Sequence, residues 1–153
     1  MTEIRTIATH SGSFHADEVF GVAILKLIYP EAEILRTRDP DKYNKADLRL
    51  DVGMKYDPQT HDYDHHQKEG AGKRDNDIPY AAAGLIWKHF GKKLVKTDKE
   101  WERIDEKLMQ FIDAIDNGIM PYSSEKAKPY TISDIIHAHN PTWTEKDANM
   151  DEA

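Results

Sequence analysis

The segment Ile4-Arg-Thr-Ile-Ala-Thr-His-Ser-Gly-Ser-Phe-His-Ala-Asp-Glu18 indicates the fold class, because it leads from a buried strand through a turn into a helix. The β-branched run Ile4 to Thr9 is typical of a strand, and His10-Ser-Gly-Ser13 is typical of a turn. From Ala16 to Tyr29, apolar residues recur at helical spacing until Pro30 ends the helix. The segment therefore predicts a strand, a loop and a helix in that order.

Two further strands are predicted at Glu33 to Thr37 and at Leu48 to Val52. Strands that alternate with helices at this spacing predict an α/β fold with a mostly parallel sheet flanked by helices. In such a sheet, functional side chains gather at the carboxyl ends of the strands. We therefore expect His10, Asp17 and Asp51 at one edge of the sheet.

The rest of the chain is predicted to hold one more short strand, around Asp62 to Asp64, and then mainly helices. Gln67 to Asp77 reads as a mobile loop, either a lid over a site or a plain surface loop. Thr97 and Glu100 form a capping-box pattern before an amphipathic helix. The predicted helices span Tyr80 to Phe90, Asp98 to Ile115 and Ile132 to Ala138.

Amino-acid composition and net charge argue against several classes of partner and of metal site. The 153 residues, of which 39% are hydrophobic, fit one globular domain, and the net charge of −7 argues against broad electrostatic binding to nucleic acid or to a membrane surface. The absence of cysteine leaves only histidine and carboxylate as strong metal ligands. No signal peptide or membrane span is recognised, so we expect a cytoplasmic protein without a membrane partner.

Histidine and carboxylate residues are clustered where elements are predicted to end. Asp62-Tyr-Asp-His-His-Gln67, together with His61, places three imidazoles within seven residues. Histidine is the commonest metal ligand, although a polar surface loop remains the alternative. Other segments supply His10, His15 and Asp17; Asp51; and Asp113 or Asp116.

Each of these residues alone has a structural alternative, such as a helix cap for Asp17 or a turn residue for Asp51. Together they predict a site for two divalent ions, which need a bridging carboxylate and several terminal ligands. Mixed imidazole and carboxylate ligands favour manganese, with zinc, iron, cobalt and magnesium as alternatives.

The chain also carries a series of ordered motifs. These are His10-Ser-Gly-Ser-Phe-His-Ala-Asp-Glu18, Arg36-Thr-Arg-Asp-Pro40, Asp51-Val-Gly53, Tyr63-Asp-His-His-Gln67, Ala83-Gly-Leu-Ile86, Asp113-Ala-Ile-Asp-Asn-Gly118 and Asn140-Pro-Thr-Trp143. In this order they resemble the melanocyte-proliferating-gene family, also called metal-dependent protein hydrolase, which is related to the DHH phosphoesterases. The resemblance implies a DHH-like domain with two metal ions and an exonuclease or related phosphoesterase activity on RNA or small nucleotides.

The resemblance also implies roles for individual residues. His10 and His15 would bind one metal ion, Asp17, His65 and Asp116 the other, and Asp51 would bridge the two. His66 would face the substrate phosphate as a donor or acid, and Asp64 would orient an adjacent imidazole. Asp113 is the alternative to Asp116, and His61 is expected in a supporting or loop position.

The expected function is a metal-dependent phosphoesterase in which a water activated by two ions attacks phosphorus and His66 assists the leaving group. Residues 1–145 would form the metal-binding domain and 146–153 a polar tail, without the substrate domain of longer family members. The alternative is a non-catalytic module that binds metal or nucleotide, and a homodimer is compatible with either function. The basic residues are expected either to help hold phosphate or to be ordinary surface charges: Arg36, Arg38, Lys68, Lys73 and Arg74.

Overall fold

The computed structural model describes residues 3–120, 122, 126–142, 144 and 145. Trp143 of the last motif and the predicted tail 146–153 lie outside the described residues. The strands are β1 (Thr6–Thr9), β2 (Glu33–Arg36), β3 (Leu48–Leu50), β4 (Tyr56–Asp57) and β5 (Asp62–Tyr63). The helices are α1 (Ala16–Ile28), α2 (Pro40–Tyr43), α3 (Ala82–Phe90), α4 (Asp98–Ile104), α5 (Gln110–Asp116) and α6 (Ile132–His137).

The five strands form one sheet in the order β2-β1-β3-β5-β4. All neighbours are parallel except β4 and β5, which confirms the predicted α/β class with a mostly parallel sheet. Ala8 pairs with Arg49 and Leu50 pairs with Tyr63. The carboxyl ends of β1, β3 and β5 therefore lie side by side, and the residues that follow them meet at one edge.

The core lies between this sheet and helices α1 and α3. Leu48 and Leu50 of β3 are fully buried, as are Leu25 of α1 and Leu85 of α3. Burying each such side chain stabilises the fold by roughly 1.5–3 kcal/mol. At Gly21 of α1, a β-carbon would lie 2.9 Å from the Leu50 side chain. The helix therefore packs closely on the strand, which fixes the loop between β1 and α1 over the sheet edge.

Several elements differ from the sequence prediction. The four-residue helix α2 was not predicted. Strand β4 has only two residues, Tyr56 and Asp57, and pairs antiparallel with β5; a run this short has no recognisable periodicity. The predicted helix from Asp98 to Ile115 is helical throughout, but Asp105–Met109 has π-helical hydrogen bonding between α4 and α5. The predicted capping box of Thr97 and Glu100 is confirmed. No helix in the described part of the chain combines the length and apolar character needed to cross a bilayer.

The loop between β5 and α3 is anchored by Arg74. Its guanidinium donates through Nε and Nη2 to Asp105, at 2.9 and 2.7 Å, and through Nη1 to Asp113 at 2.7 Å. The same group lies over the Tyr80 ring, 4.2 Å from its centroid. Arg74 is 9% exposed, so the interpretation as ordinary surface charge is wrong for this residue. The loop is tied to the helical segment that carries Asp113.

Replacing Arg74 with alanine should lower the free energy of unfolding by about 3–5 kcal/mol, because the Asp105 and Asp113 carboxylates would lose their buried cation. The neighbouring variant Lys73→Ala is the matched control. Lys73 pairs with Asp77 at an exposed position, where the loss should be about 0–1 kcal/mol. Urea unfolding of both variants measures the difference, and equal small losses would show that the Arg74 network does not stabilise the fold.

Candidate metal centre

Two residues of the first motif, His10 and Glu18, lie close to the carboxyl end of β3. The buried His10 follows β1, and its Nε2 lies 3.3 Å from Asp51 Oδ2 and 3.6 Å from Glu18 Oε2. His15 is the N-cap of α1, and its backbone N–H donates to the Glu18 carboxylate at 2.8 Å. Its exposed imidazole contacts the His10 ring, with centroids 5.4 Å apart. The capping contact therefore holds three potential metal ligands, His10, His15 and Glu18, close together.

Asp17 lies at the first turn of α1 and is completely buried. Its carboxylate accepts hydrogen bonds from the backbone N–H groups of Ala82, at 2.9 Å, and Ala83, at 2.6 Å. These N–H groups open α3, and the positive end of a helix dipole stabilises an anion. Asp17 Oδ2 also lies 3.7 Å from His65 Nε2, so the side chain links α3 to the sheet edge.

Asp51 occupies the middle of the sheet edge. It has a left-handed backbone conformation, with φ of 53°, which Asp adopts more readily than most residues. Its two oxygens face different partners. Oδ2 faces His10 at 3.3 Å, whereas Oδ1 lies 3.7 Å from His65 Nε2 and 3.3 Å from His66 Nδ1. The carboxylate therefore stands between two groups of imidazoles.

Asp64 holds the histidine pair that follows β5. It accepts hydrogen bonds from the backbone N–H groups of Met54, His65 and His66, at 2.7, 2.7 and 3.0 Å. The ring Nδ1 of His66 lies 2.8 Å from the same carboxylate. His65 is buried, whereas the side chain of His66 is 53% exposed. The two adjacent imidazoles thus have different environments.

The structure separates the two aspartates of α5. Asp116 Oδ2 lies 3.1 Å from His65 Nε2, while Asp113, one turn earlier, contacts Arg74 and accepts from the Gly84 N–H at 3.0 Å. A β-carbon at residue 84 would lie 1.8 Å from Asp113 Oδ2, so glycine is required there. Asp113 is therefore engaged away from the other ligands.

Three groups of side chains place one potential ligand atom each within 4.8 Å of the others. They are His10, His15 and Glu18; Asp51, His65 and His66; and Asp17, His65 and Asp116. All six residues predicted as metal ligands are thus brought together, whereas His61 belongs to none of these groups and faces the Asp47 carbonyl. Sequence reasoning missed Glu18 as a ligand candidate, because a glutamate in the first turn of a helix is ordinarily a capping residue.

The imidazoles are surrounded by carboxylates. Burial alone would lower the pKa of His10, but contacts with Asp51 and Glu18 outweigh burial and raise the pKa to about 9. Contacts with Asp51 and Asp64 raise the pKa of His66 to about 10. Positive charge at both imidazoles is therefore stabilised by their surroundings.

The carboxylates also lie close enough to repel one another. Burial, together with the nearby charges of Asp51 and Asp116, raises the pKa of Asp17 well above its ordinary value. Burial would also raise the pKa of Asp51, but His10 and His66 lower it instead. A cation among these groups would relieve the repulsion that burial creates.

Two buried atoms at the centre have no hydrogen-bond partner among the described residues: Asp51 Oδ1 and His65 Nε2. His66 Nδ1 lies 3.3 Å from the first but only 2.8 Å from Asp64 Oδ1, so the one proton that Nδ1 can carry is directed to Asp64. Unpartnered buried polar atoms are costly. A divalent metal ion held by both atoms would satisfy them. The imidazole and carboxylate donors fit a divalent ion, so these buried groups could hold metal.

Two cavities adjoin the centre. One of about 280 Å³ is lined by His10, Asp51, Asp64 and His66 together with Arg38. The other, of about 390 Å³, lies beside α1, α5 and α6. His15 and Asp116 line both cavities, so a bound molecule has access to the centre from two sides.

Comparisons with known proteins identify relatives over nearly the whole chain. Residues 6–153 match the model of the MYG1 exonuclease family, described as "Uncharacterised protein family (UPF0160)". The human protein named MYG1 exonuclease is 36% identical over 168 residues, covering 95% of this chain and 45% of that protein. The mouse MYG1 exonuclease is 36% identical over 162 residues, covering 91% of this chain and 43% of that protein.

A relative from Dictyostelium discoideum, named MYG1 protein, is 35% identical over 157 residues, which cover 92% of this chain and 48% of the relative. The chain spans less than half the length of each of these relatives. No solved structure gives a significant match. Because the family model extends over residues 6–153, the chain belongs to the MYG1 exonuclease family.

Proposed function

We propose that the chain is a DHH-like, metal-dependent phosphoesterase domain with exonuclease-like action on RNA or small nucleotides. The observation that supports this most directly is the buried pair of Asp51 Oδ1 and His65 Nε2, 3.7 Å apart and without hydrogen-bond partners in the described structure. Such a pair suits ligands of a metal ion better than groups of a plain core. The names of the mammalian relatives support the nucleic-acid substrate.

The proposed centre holds two divalent ions, with manganese preferred. His10 and His15 bind one ion, with Glu18 as an added ligand candidate beside them. Asp17, His65 and Asp116 bind the other. Asp51 bridges the two, because its Oδ2 faces the first group and its Oδ1 faces the second. Residues 1–145 form the proposed metal-binding domain, and two chains can assemble as a homodimer.

When bound, the two ions supply an activated water and neutralise charge on the phosphate. The chain contributes His66, whose half-exposed ring lines the smaller cavity. Asp64 orients that ring through its Nδ1, so we assign His66 the transfer of a proton or hydrogen bond to the leaving oxygen. Arg38 lines the same cavity and is held by the Ser11 carbonyl at 3.1 Å, which suits it to bind a phosphate oxygen.

A second candidate function is a module that binds metal or nucleotide without turnover. The observation that favours it is the match to less than half of each cited relative, because the remaining sequence of those proteins could contribute to their activity. The two functions predict the same metal binding and differ in catalysis. Separate measurements of metal uptake and of turnover therefore distinguish them.

Substituting Asp51 with asparagine should lower manganese affinity by about tenfold or more, because a charged bridging ligand is lost. Asparagine also tolerates a left-handed backbone, so the change tests charge rather than backbone strain. Asp57→Asn is the matched control, since Asp57 belongs to none of the three ligand groups. Calorimetry and mass-spectrometric metal analysis measure affinity and the number of ions per chain. Unchanged binding in Asp51→Asn would contradict the proposed bridge.

With manganese, the wild type should release mononucleotides from short RNA or from dinucleotides. His66→Asn should reduce kcat by about 10²–10⁴-fold, as expected for loss of a general acid, while the protein still binds metal. His139→Asn is the control, because His139 is exposed and lines neither cavity at the centre.

Chromatographic separation of the products measures turnover. If the wild type binds metal but no RNA, dinucleotide or pyrophosphate is hydrolysed with any divalent ion, the enzyme proposal fails and the binding module is favoured. If neither metal nor turnover is found, the proposed site is wrong.

A further inference from the structure

The larger cavity beside the centre is not used by the proposed chemistry. Its volume is about 390 Å³, within the range of about 300–1,000 Å³ that is typical of small-molecule sites. It shares His15 and Asp116 with the smaller cavity, where His66 and Arg38 lie. A phosphate at the centre would therefore have one cavity for its own oxygens and a second for the group bonded to it.

The walls of the larger cavity combine apolar and polar surfaces. On one side, Phe14 of the first motif and Ile112 and Ile115 of α5 contribute apolar side chains. On the other side, α6 contributes Ser133 and His137. A flat, partly apolar group with hydrogen-bonding edges matches this surface better than a second phosphate would.

The Phe14 wall is held in place from the far end of the chain. The Asn140 side chain accepts from the Phe14 N–H at 2.6 Å and donates to the Phe14 carbonyl at 2.8 Å. The Arg36 guanidinium lies over the Phe14 ring, 3.8 Å from its centroid. These contacts explain how the last motif, which begins at Asn140, is linked to the first one. They also preorganise the aromatic wall, which reduces the cost of binding.

Charge further limits what the cavity can bind. Asp17 and Asp116 point their carboxylates toward the proposed metal ligands. Asp134, on the α6 side, is occupied by the N–H and hydroxyl of Thr131, at 2.8 and 2.6 Å. These carboxylates disfavour a second anion, although Lys128 offsets part of their charge. A neutral group attached to the phosphate is therefore preferred.

We propose that this cavity binds the nucleoside attached to the phosphate at the metal centre. The proposal rests on the proposed phosphoesterase function and adds the place in the structure where the nucleoside part of its nucleotide substrate binds. The base packs against Phe14 and Ile115, and Ser133 supplies a hydroxyl for the edge of the base or for the sugar. The cavity thus gives the proposed nucleotide substrate a specific site for its base and sugar.

Binding measurements test this without relying on turnover. Inorganic phosphate, ribose 5-phosphate and the 5′-monophosphates of adenosine and uridine are titrated calorimetrically into the manganese-loaded protein. We expect at least one of the two nucleotides to bind about tenfold more tightly than ribose 5-phosphate, because stacking of a base contributes about 1–3 kcal/mol. Ser133→Leu should abolish most of that advantage by filling the cavity and should leave the affinity for inorganic phosphate unchanged.

Ala138→Leu is the matched control, because it adds the same bulk at the end of α6 and residue 138 does not line the cavity. His137→Leu, at an exposed position on the cavity side, is a second filling variant that keeps the test valid if Ser133→Leu misfolds. Circular dichroism and phosphate affinity verify that each variant is folded.

The outcomes separate this inference from the function on which it rests. If phosphate binds with manganese but neither nucleotide binds more tightly than ribose 5-phosphate, the nucleoside site is wrong and the metal centre remains supported. If the advantage of the nucleotide survives both filling variants, the nucleoside binds elsewhere. If phosphate does not bind to the metal-loaded protein, the proposed function fails and the nucleoside site fails with it.

Discussion

Several carboxylates are buried close to one another in and beside the candidate metal centre, and the structure around them must compensate their charge. Asp17, Asp51 and Asp113 are all buried, and an uncompensated buried charge is strongly destabilising. The chain compensates two of them with its own groups. Backbone N–H groups of α3 donate hydrogen bonds to Asp17, and the Arg74 guanidinium donates to Asp113. For Asp51, one oxygen remains without a hydrogen-bond partner in the described structure, which marks it as a candidate ligand. Asp17 combines both roles, because its carboxylate is held by α3 and also lies 3.7 Å from His65 Nε2.

At the start of α3, backbone N–H groups compensate the charge of two buried carboxylates. Asp17 from α1 and Asp113 from α5 both reach backbone N–H groups within residues 82–84. Such close approach requires small residues, and the sequence there is Ala82-Ala83-Gly84. The helix therefore joins α1 and α5 through two buried hydrogen-bonded carboxylates. These contacts set the spacing between Asp17 and Asp116, which carry proposed ligand atoms on either side of His65.

The sequence predicted those parts of the site that follow from local rules. His10 and Asp51 come directly after predicted strands, and parallel strands place their carboxyl ends on one edge, so their proximity could be inferred without coordinates. Glu18 was missed because its role depends on a histidine in the N-cap position, which is not a usual capping residue. Arg74 was misread because its partners lie 31 and 39 residues away in the sequence. Contacts over such separations follow from packing, and a charged loop alone gives no sign of them.

The contrast between His65 and His66 connects the fold to the proposed chemistry. One Asp64 carboxylate accepts from the backbone of both residues, so their relative placement is fixed by the turn that follows β5. The turn directs His65 into the buried carboxylates and leaves His66 at the smaller cavity. His66 also belongs to one of the three potential ligand groups, but its half-exposed ring lines the smaller cavity. The hydrogen bond from His66 to Asp64 suits the proposed catalysis, because it would orient a proton donor beside the place where a phosphate would bind.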